Sequence, residues 1–235
     1  MKILQKGFNY SQDGPGNRLV YHLQGCNFKC KWCSNADSIP AENPKAKDVD
    51  IRDLADEVLR SRMMFFDGGG VTFTGGEATL QADELTELLR LLRAEGIDTC
   101  IETNGSSPRL IEIAELTDHL IVDFKLADER SHMYWCGASN RTVKANLRAL
   151  ISAGRRILVR IPLIHGVNDA SPEAFAEFFS GLDTSGVEFE FLAYHEYGKG
   201  KWRGRYEISD GFLPPGTKER FENTFRSLNY KVIST

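Results

Sequence analysis

The sequence contains no apolar run long enough to cross a bilayer and no basic, apolar, small-residue leader at its start. Those two absences predict a cytoplasmic protein that neither spans nor sits on a membrane. Charge of one sign is also missing. Lys and Arg number 29 against 33 Asp and Glu, a net charge of -4, which gives nucleic acid no general reason to bind. No internal repeat or low-complexity tract interrupts the 235 residues, and 1–235 is predicted to be one domain. Cysteine is scarce and unevenly spread: there are five, none of them between Cys33 and Cys100. Three fall within eight residues, and in a cytosolic chain such crowding points to metal more often than to disulfides. Cys100 and Cys136 stand alone and read as small buried residues.

Short β-branched runs alternate with amphipathic helical patterns, which predicts an α/β fold with a parallel sheet and outer helices. Candidate strands are Leu19–Leu23, Val71–Thr74, Thr99–Glu102, Leu120–Asp123, Ile157–Ile161 and Phe189–Ala193. Asp83 is placed to cap a helix whose Leu85, Leu88, Leu89 and Leu92 share one face, with Gly96 ending it. Val143, Leu147, Leu150 and Ile151 mark a second helix stopped by Gly154. Ser171-Pro172 opens a third, with Phe175, Phe178, Phe179 and Leu182 as its buried face. Leu54 and Val58, among charged residues, suggest an earlier helix. About six βα units are too few for a closed eight-stranded barrel, so an open, partial (β/α)6 barrel is preferred over a flat doubly wound sheet. In either architecture chemistry gathers at the carboxyl ends of the strands. Cys26, Gly75–Glu77, Glu102–Gly105 and Asp123–Lys125 follow the first four runs, Arg160 lies in the fifth, and His195 follows the sixth.

Cys26, Cys30 and Cys33 have the spacing C-x3-C-x2-C. Soft sulfur on one short loop favours zinc or an iron–sulfur cluster. A closed zinc site needs four ligands, and His22, the tempting fourth, falls inside a predicted strand and reads as a core or strand-face histidine. Three cysteines on a four-iron cluster leave one iron open, where an amino acid amine and carboxylate can chelate. Gly25 precedes the motif and Trp32 stands directly before its last cysteine.

With these features the chain resembles the radical S-adenosylmethionine superfamily. Within it, the chain is most similar to glycyl-radical-enzyme activating enzymes of the pyruvate formate-lyase activase type. Motifs in family order carry the resemblance: Asp13-Gly-Pro-Gly-Asn-Arg18, the cysteine loop, Gly70–Gln81, Thr103-Asn-Gly105, Asp123-Phe-Lys125, Arg160 and Ala193–Trp202. The resemblance implies a radical S-adenosylmethionine fold with one [4Fe–4S] cluster on Cys26, Cys30 and Cys33. S-adenosylmethionine would be held by Trp32, Cys33, Ser34, Gly75, Gly76, Glu77, Asp123, Phe124, Lys125, Arg160 and His195. A monovalent cation would lie by Glu102, Thr103 and Asp123, with Glu102 standing where the family pattern has Asp. Asp13 would lie near the glycine of a partner glycyl radical enzyme. The expected electron donor is flavodoxin or ferredoxin, and the oxygen-sensitive product implies anaerobic metabolism. The missing cysteines after Cys33 imply no inserted ferredoxin-like cluster domain.

Two other readings compete. One is a radical S-adenosylmethionine enzyme acting on a small molecule, such as a deazapurine-forming ring contraction. The other is a non-enzymatic metal-binding or electron-transfer module, which would leave the glycine-rich, Asp-x-Lys and histidine motifs idle. Lys199, Lys201, Arg203 and Arg205, with aromatics interleaved, read as a solvated face or a dock for an acidic partner.

Overall fold

An antiparallel hairpin opens the chain in the computed structural model, which describes residues 1–204 and 206–234. Its arms are β1 (Lys2–Tyr10) and β2 (Asn17–Leu23), with Tyr10 opposite Asn17 and the Ser11 N–H donating to the Gly16 carbonyl at 3.0 Å. β3 (Lys47–Asp48) covers the other edge of β1. The chain then alternates: α1 (Ile51–Arg60), β4 (Gly70–Gly75), α2 (Ala82–Ala94), β5 (Thr99–Thr103), α3 (Leu110–Glu115) and β6 (His119–Asp123). β2, β4 and β5 run parallel, from Arg18 beside Gly70 to Leu23 beside Gly75. β4 is buried on both faces over five consecutive residues, as a central parallel strand must be. The strand order is β3-β1-β2-β4-β5.

These elements build the first of two compact units, residues 1–27, 37–103 and 107–121. Leu54 and Val58 of α1 and Leu85, Leu88, Leu89 and Leu92 of α2 are buried, as their spacing requires. Asp83 does not cap α2. The helix begins one residue earlier, so Asp83 lies in its first turn and pairs with Arg109. Gly96 ends the helix at φ +65°, a conformation that favours glycine.

The second unit holds residues 28–36, 104–106 and everything from 122 onward. Its elements are α4 (Glu129–Cys136), α5 (Arg141–Ser152), β7 (Ile157–Leu163), α6 (Pro172–Phe179), β8 (Val187–Ala193), α7 (Thr217–Ser227) and β9 (Lys231–Val232). β7 and β8 pair in parallel from Ile157–Val187 to Leu163–Ala193, and β9 adds to β8 in the same sense. Ser171 caps α6 by accepting from the Ala174 N–H, with Pro172 in the first turn. The core is aromatic: Phe124, Phe179, Phe189, Phe191, Phe221 and Phe225 are each at most 1% exposed. Burial of each such ring stabilises the fold by about 1.5–3 kcal/mol.

All six strands expected from the sequence are present, and the parallel α/β expectation holds within each unit. β1, β3, β9, α3, α4 and α7 are additions. Among the described residues no helix is long and apolar enough to cross a membrane.

Candidate functional site

In the first unit, the carboxyl ends of β2 and β4 are tied together. The Gly76 N–H donates to the Leu23 carbonyl at 3.0 Å and the Glu77 N–H to the Gly25 carbonyl at 2.8 Å. Gly25 in turn donates to Ser38 O, and Cys26 to Ile39 O. This approach is possible only because Gly76 carries no side chain where the two segments touch. A Cβ on Gly76 would lie 2.1 Å from the Gly25 oxygen, and Gly75 holds φ +116°. Cys26 is thereby fixed beside the Gly75-Gly76-Glu77 turn. Gly76→Ala is expected to lose at least ~2 kcal/mol of stability in urea melts. Hydrogen exchange should show the damage concentrated at the Glu77 N–H.

Glu77 does more than its backbone suggested. Its side chain is 1% exposed and accepts from the Thr79 N–H at 3.0 Å, from the Thr79 hydroxyl, and from the Thr103 hydroxyl at 2.6 Å. The carboxylate therefore joins the end of β4 to the end of β5, a structural link the sequence reading missed. Glu102, the neighbouring residue on β5, accepts from the Thr74 hydroxyl at 2.7 Å.

The Asp13-Gly-Pro-Gly turn lies at the opposite, amino-terminal end of these strands. The Thr72 hydroxyl donates to the Asp13 carbonyl at 2.6 Å, while Arg18 Nη1 donates to the Pro15 carbonyl at 3.0 Å. The Asp13 carboxylate, half-buried, accepts from the Asn9 amide. Cys26 and Gly75–Glu77 thus share one end of the strands, and Asp13 does not join them there. Arg18 was only a motif letter in the sequence, yet it anchors this turn. Its guanidinium is 0% exposed, donates to Thr72 Oγ1 at 2.7 Å and Val71 O at 2.9 Å, and pairs with Asp98 at 2.8 Å. Burial pushes the Asp98 carboxyl up, but His119 and Arg18 outweigh it and hold the group below its ordinary value.

In the second unit the cysteine loop is fastened from both sides. Lys29 N donates to Cys136 O at 2.8 Å and Lys31 N to Trp135 O at 3.0 Å, both on the last turn of α4. Trp202 Nε1 donates to Cys33 O at 3.0 Å, and Lys201 Nζ to Asn35 Oδ1 at 2.9 Å. Gly198 packs so closely on Ser34 that a Cβ there would meet its backbone at 2.3 Å. Trp32 is buried and lies 6.4 Å from Trp135, centroid to centroid. Lys125 donates to Asp123 at 2.6 Å. Burial alone would lower the Lys125 ammonium, but Asp123 and Cys30 outweigh it and keep the group charged.

Three expected residues are placed differently from a simple binding role. The Phe124 ring is 1% exposed and packs on Phe178 at 4.9 Å, so the side chain belongs to the core; its N–H is also used, donating to Arg160 O at 2.8 Å. Arg160 is buried and pairs with Glu190 at 2.7 Å, which supplies the partner its apolar strand demanded. His195 is exposed and stacks on Tyr197 at 4.5 Å. Of the basic run, Arg205 lies outside the described residues; Lys199 pairs with Glu196 at 2.8 Å.

Three thiols on one short segment are the donor chemistry that an iron–sulfur cluster takes, although among the described residues no three His, Cys, Asp or Glu side chains are gathered where they could hold a metal ion. Cys26, Cys30 and Cys33 are in no disulfide, and Cys33 Sγ accepts the Asn35 N–H at 3.3 Å, the kind of bond that supports a ligand sulfur. Burial, and then the neighbouring Cys30, push the Cys33 thiol up to about 11. A hydrogen bond with Cys136, followed by burial, holds the Cys30 thiol well above its ordinary value. Sulfurs so placed become thiolates when a bound cation compensates their charge.

A family model described as the Radical SAM superfamily matches residues 20–179. The chain is 34% identical over 231 residues to pyruvate formate-lyase 1-activating enzyme of Escherichia coli (strain K12), covering 94% of this chain and 93% of that one. It is 35% identical over 225 residues to pyruvate formate-lyase-activating enzyme of Streptococcus mutans serotype c, covering 91% and 85%. Among solved structures it is similar to a domain of pyruvate-formate lyase-activating enzyme from Bacteroides vulgatus, with TM-score 0.60 and 23% identity over 71% of this chain and 98% of that one. Streptococcus suis SuiB bound to S-adenosylmethionine gives TM-score 0.66 and 16% identity over 92% and 49%. The two structural likenesses carry the fold alone.

Proposed function

The chain belongs to the radical SAM superfamily and has its α/β fold of parallel strands and outer helices, and from that premise we propose that it activates a glycyl radical enzyme. One observation carries the reading: the likeness to pyruvate formate-lyase-activating enzymes runs at 34% identity over 94% of the chain. In this reading the whole chain acts as one radical S-adenosylmethionine domain with a single cluster.

Cys26, Cys30 and Cys33 would hold a [4Fe–4S] cluster through their sulfurs, and such a cluster would supply the one electron that cleaves S-adenosylmethionine to methionine and a 5′-deoxyadenosyl radical. The protein's own residues then bind and orient. The Gly75-Gly76-Glu77 backbone receives the methionyl amino group, supported by the tight Gly25–Gly76 approach. Lys125, kept charged beside Asp123, holds the methionyl carboxylate. Trp32, Ser34, the Phe124 carbonyl, Arg160 and His195 complete the cofactor contacts, and Glu102, Thr103 and Asp123 offer oxygens to a monovalent cation. The Asp13 turn, a strand's length from Cys26, receives a flanking part of the partner segment, whose glycine reaches the cluster end of the strands. That glycine gives its α-hydrogen to the 5′-deoxyadenosyl radical, so 5′-deoxyadenosine and a glycyl radical are the products. No general base is required. Flavodoxin or ferredoxin supplies the electron. Because oxygen attacks a glycyl radical, the reaction belongs to an anaerobic cytoplasm.

The test is anaerobic. Reconstituted, dithionite-reduced protein given S-adenosylmethionine should form 5′-deoxyadenosine and methionine in equal amounts, and added glycyl radical enzyme should acquire an EPR doublet. Turnover stimulated by a small molecule, with every such partner left radical-free, would refute the activase reading. Asp13→Ala is expected to lower the partner's radical yield about tenfold, measured by spin counting.

A further inference from the structure

Exposed apolar side chains in the first unit gather at one place. Among its described residues seven large ones stand exposed, and five of them are Phe8, Tyr10, Met63, Met64 and Phe66. Phe8 and Tyr10, two apart on β1, point to one side of the hairpin. The Tyr10 ring stacks on Phe66 at 6.1 Å, and its hydroxyl donates to Asp67 at 3.0 Å. Met63 lies in the short helical turn Arg62–Met64 and is 92% exposed. The backbone beneath is stitched to the start of β2. The Asn17 N–H donates to Phe66 O at 3.1 Å, and its side-chain amide to Met64 O at 2.8 Å. A Cβ on Gly16 would lie 2.5 Å from the Phe66 oxygen, and one on Gly69 would lie 2.0 Å from the Asn17 oxygen. Gly16 closes the Asp13-Gly-Pro-Gly turn, so the apolar patch is continuous with that turn.

The geometry points to Phe8, Tyr10, Met63, Met64 and Phe66 as a docking surface for the partner glycyl radical enzyme, which lays an apolar stretch flanking its glycine segment across them. The inference rests on the activase reading above and on the Asp13 turn as a contact with that partner. Apolar residues scattered singly over a surface need no explanation, whereas a contiguous group marks an interaction site. Aromatic rings and methionine are the side chains that such sites favour, and methionine adapts to an irregular partner. A backbone already held by Asn17 and pressed against Gly16 has little freedom left to lose on binding. Asp67 lies within the patch, which disfavours an anionic lipid surface as its occupant. A second copy of this chain is the competing occupant.

The test measures anaerobic binding to a glycyl radical enzyme encoded in the same genome, by isothermal titration. Sedimentation velocity of each chain alone and spin counting on the partner accompany it. Met63→Asp and Phe66→Ser should each weaken the partner about tenfold, and should raise the partner concentration giving half-maximal radical by a similar factor. Met63→Leu, which keeps the apolar surface, should bind as the wild type does. Met63 is almost fully exposed, so its variants should keep the wild-type urea midpoint. Wild-type affinity in both Met63→Asp and Phe66→Ser would overturn the proposal. So would self-association of the wild-type chain that these variants abolish while partner affinity stays, since the face would then join two copies. A radical formed on the partner with equal affinity for every variant would defeat the docking surface alone. No radical on any such partner with the wild-type chain would instead defeat the activase reading itself.

Discussion

Cys30→Ala protein is expected to form no 5′-deoxyadenosine above background and to retain little iron after anaerobic reconstitution. The sulfur it removes is 7% exposed, on a loop segment clamped to α4 by Lys29 and Lys31. With two sulfurs left, the cluster loses a ligand and not merely an orienting contact. The fold should survive, because deleting one sulfur from a core position costs about 1 kcal/mol. Iron content, the cluster's absorbance and product formation should therefore collapse together while the urea midpoint of the cluster-free chain moves little. Substantial product from Cys30→Ala would mean that the chemistry does not depend on this loop.

The second large effect is on stability. Arg18→Ala is expected to cost about 3–5 kcal/mol and to lower the melting temperature by roughly 10 °C. The guanidinium spreads over Thr72 Oγ1, Val71 O, Pro15 O and the Asp98 carboxylate, at distances from 2.7 to 3.0 Å, with no exposed surface. Alanine leaves the Asp98 carboxylate with only His119. It also frees the Asp13-Gly-Pro-Gly turn, whose Pro15 carbonyl it had held. Arg18→Lys should recover only part of the loss, because one ammonium cannot reach acceptors set around a planar fork. Urea and thermal melts of the cluster-free chain measure this; a loss below about 1 kcal/mol would place Arg18 among ordinary surface pairs.

The parallel strands were legible as short apolar runs; β4, buried on both faces over five residues, carries that signal most plainly, while β7 buries one face fully and the other only at Arg160. β1 did not, since most of its nine residues are exposed and it is held by pairing with β2 and not by an apolar face. β3 and β9 are two residues each, too short for any period. α4 buries only His132 and Cys136, and α7 chiefly Phe221 and Phe225 within a polar sequence, so neither shows a full stripe. For the site, spacing alone marked the cysteines, because three thiols on one loop have few other uses. Side-chain networks were invisible in the sequence. That Glu77 reaches Thr103, that Phe124 belongs to the aromatic core, and that Arg18 bears on Asp98 depend on which strands lie side by side. Asp83 misled because it lies one position inside the helix start it was expected to cap.

Direct hydrogen transfer from a partner's glycine is the core of this account. The protein should be reduced and mixed anaerobically with S-adenosylmethionine and a glycyl radical enzyme, encoded in the same genome, that has been labelled with α-deuterated glycine. The account predicts deuterium in the 5′-deoxyadenosine formed, together with an EPR signal on the partner whose doublet has collapsed toward a singlet. 5′-Deoxyadenosine free of deuterium, with no radical on the partner, would contradict it.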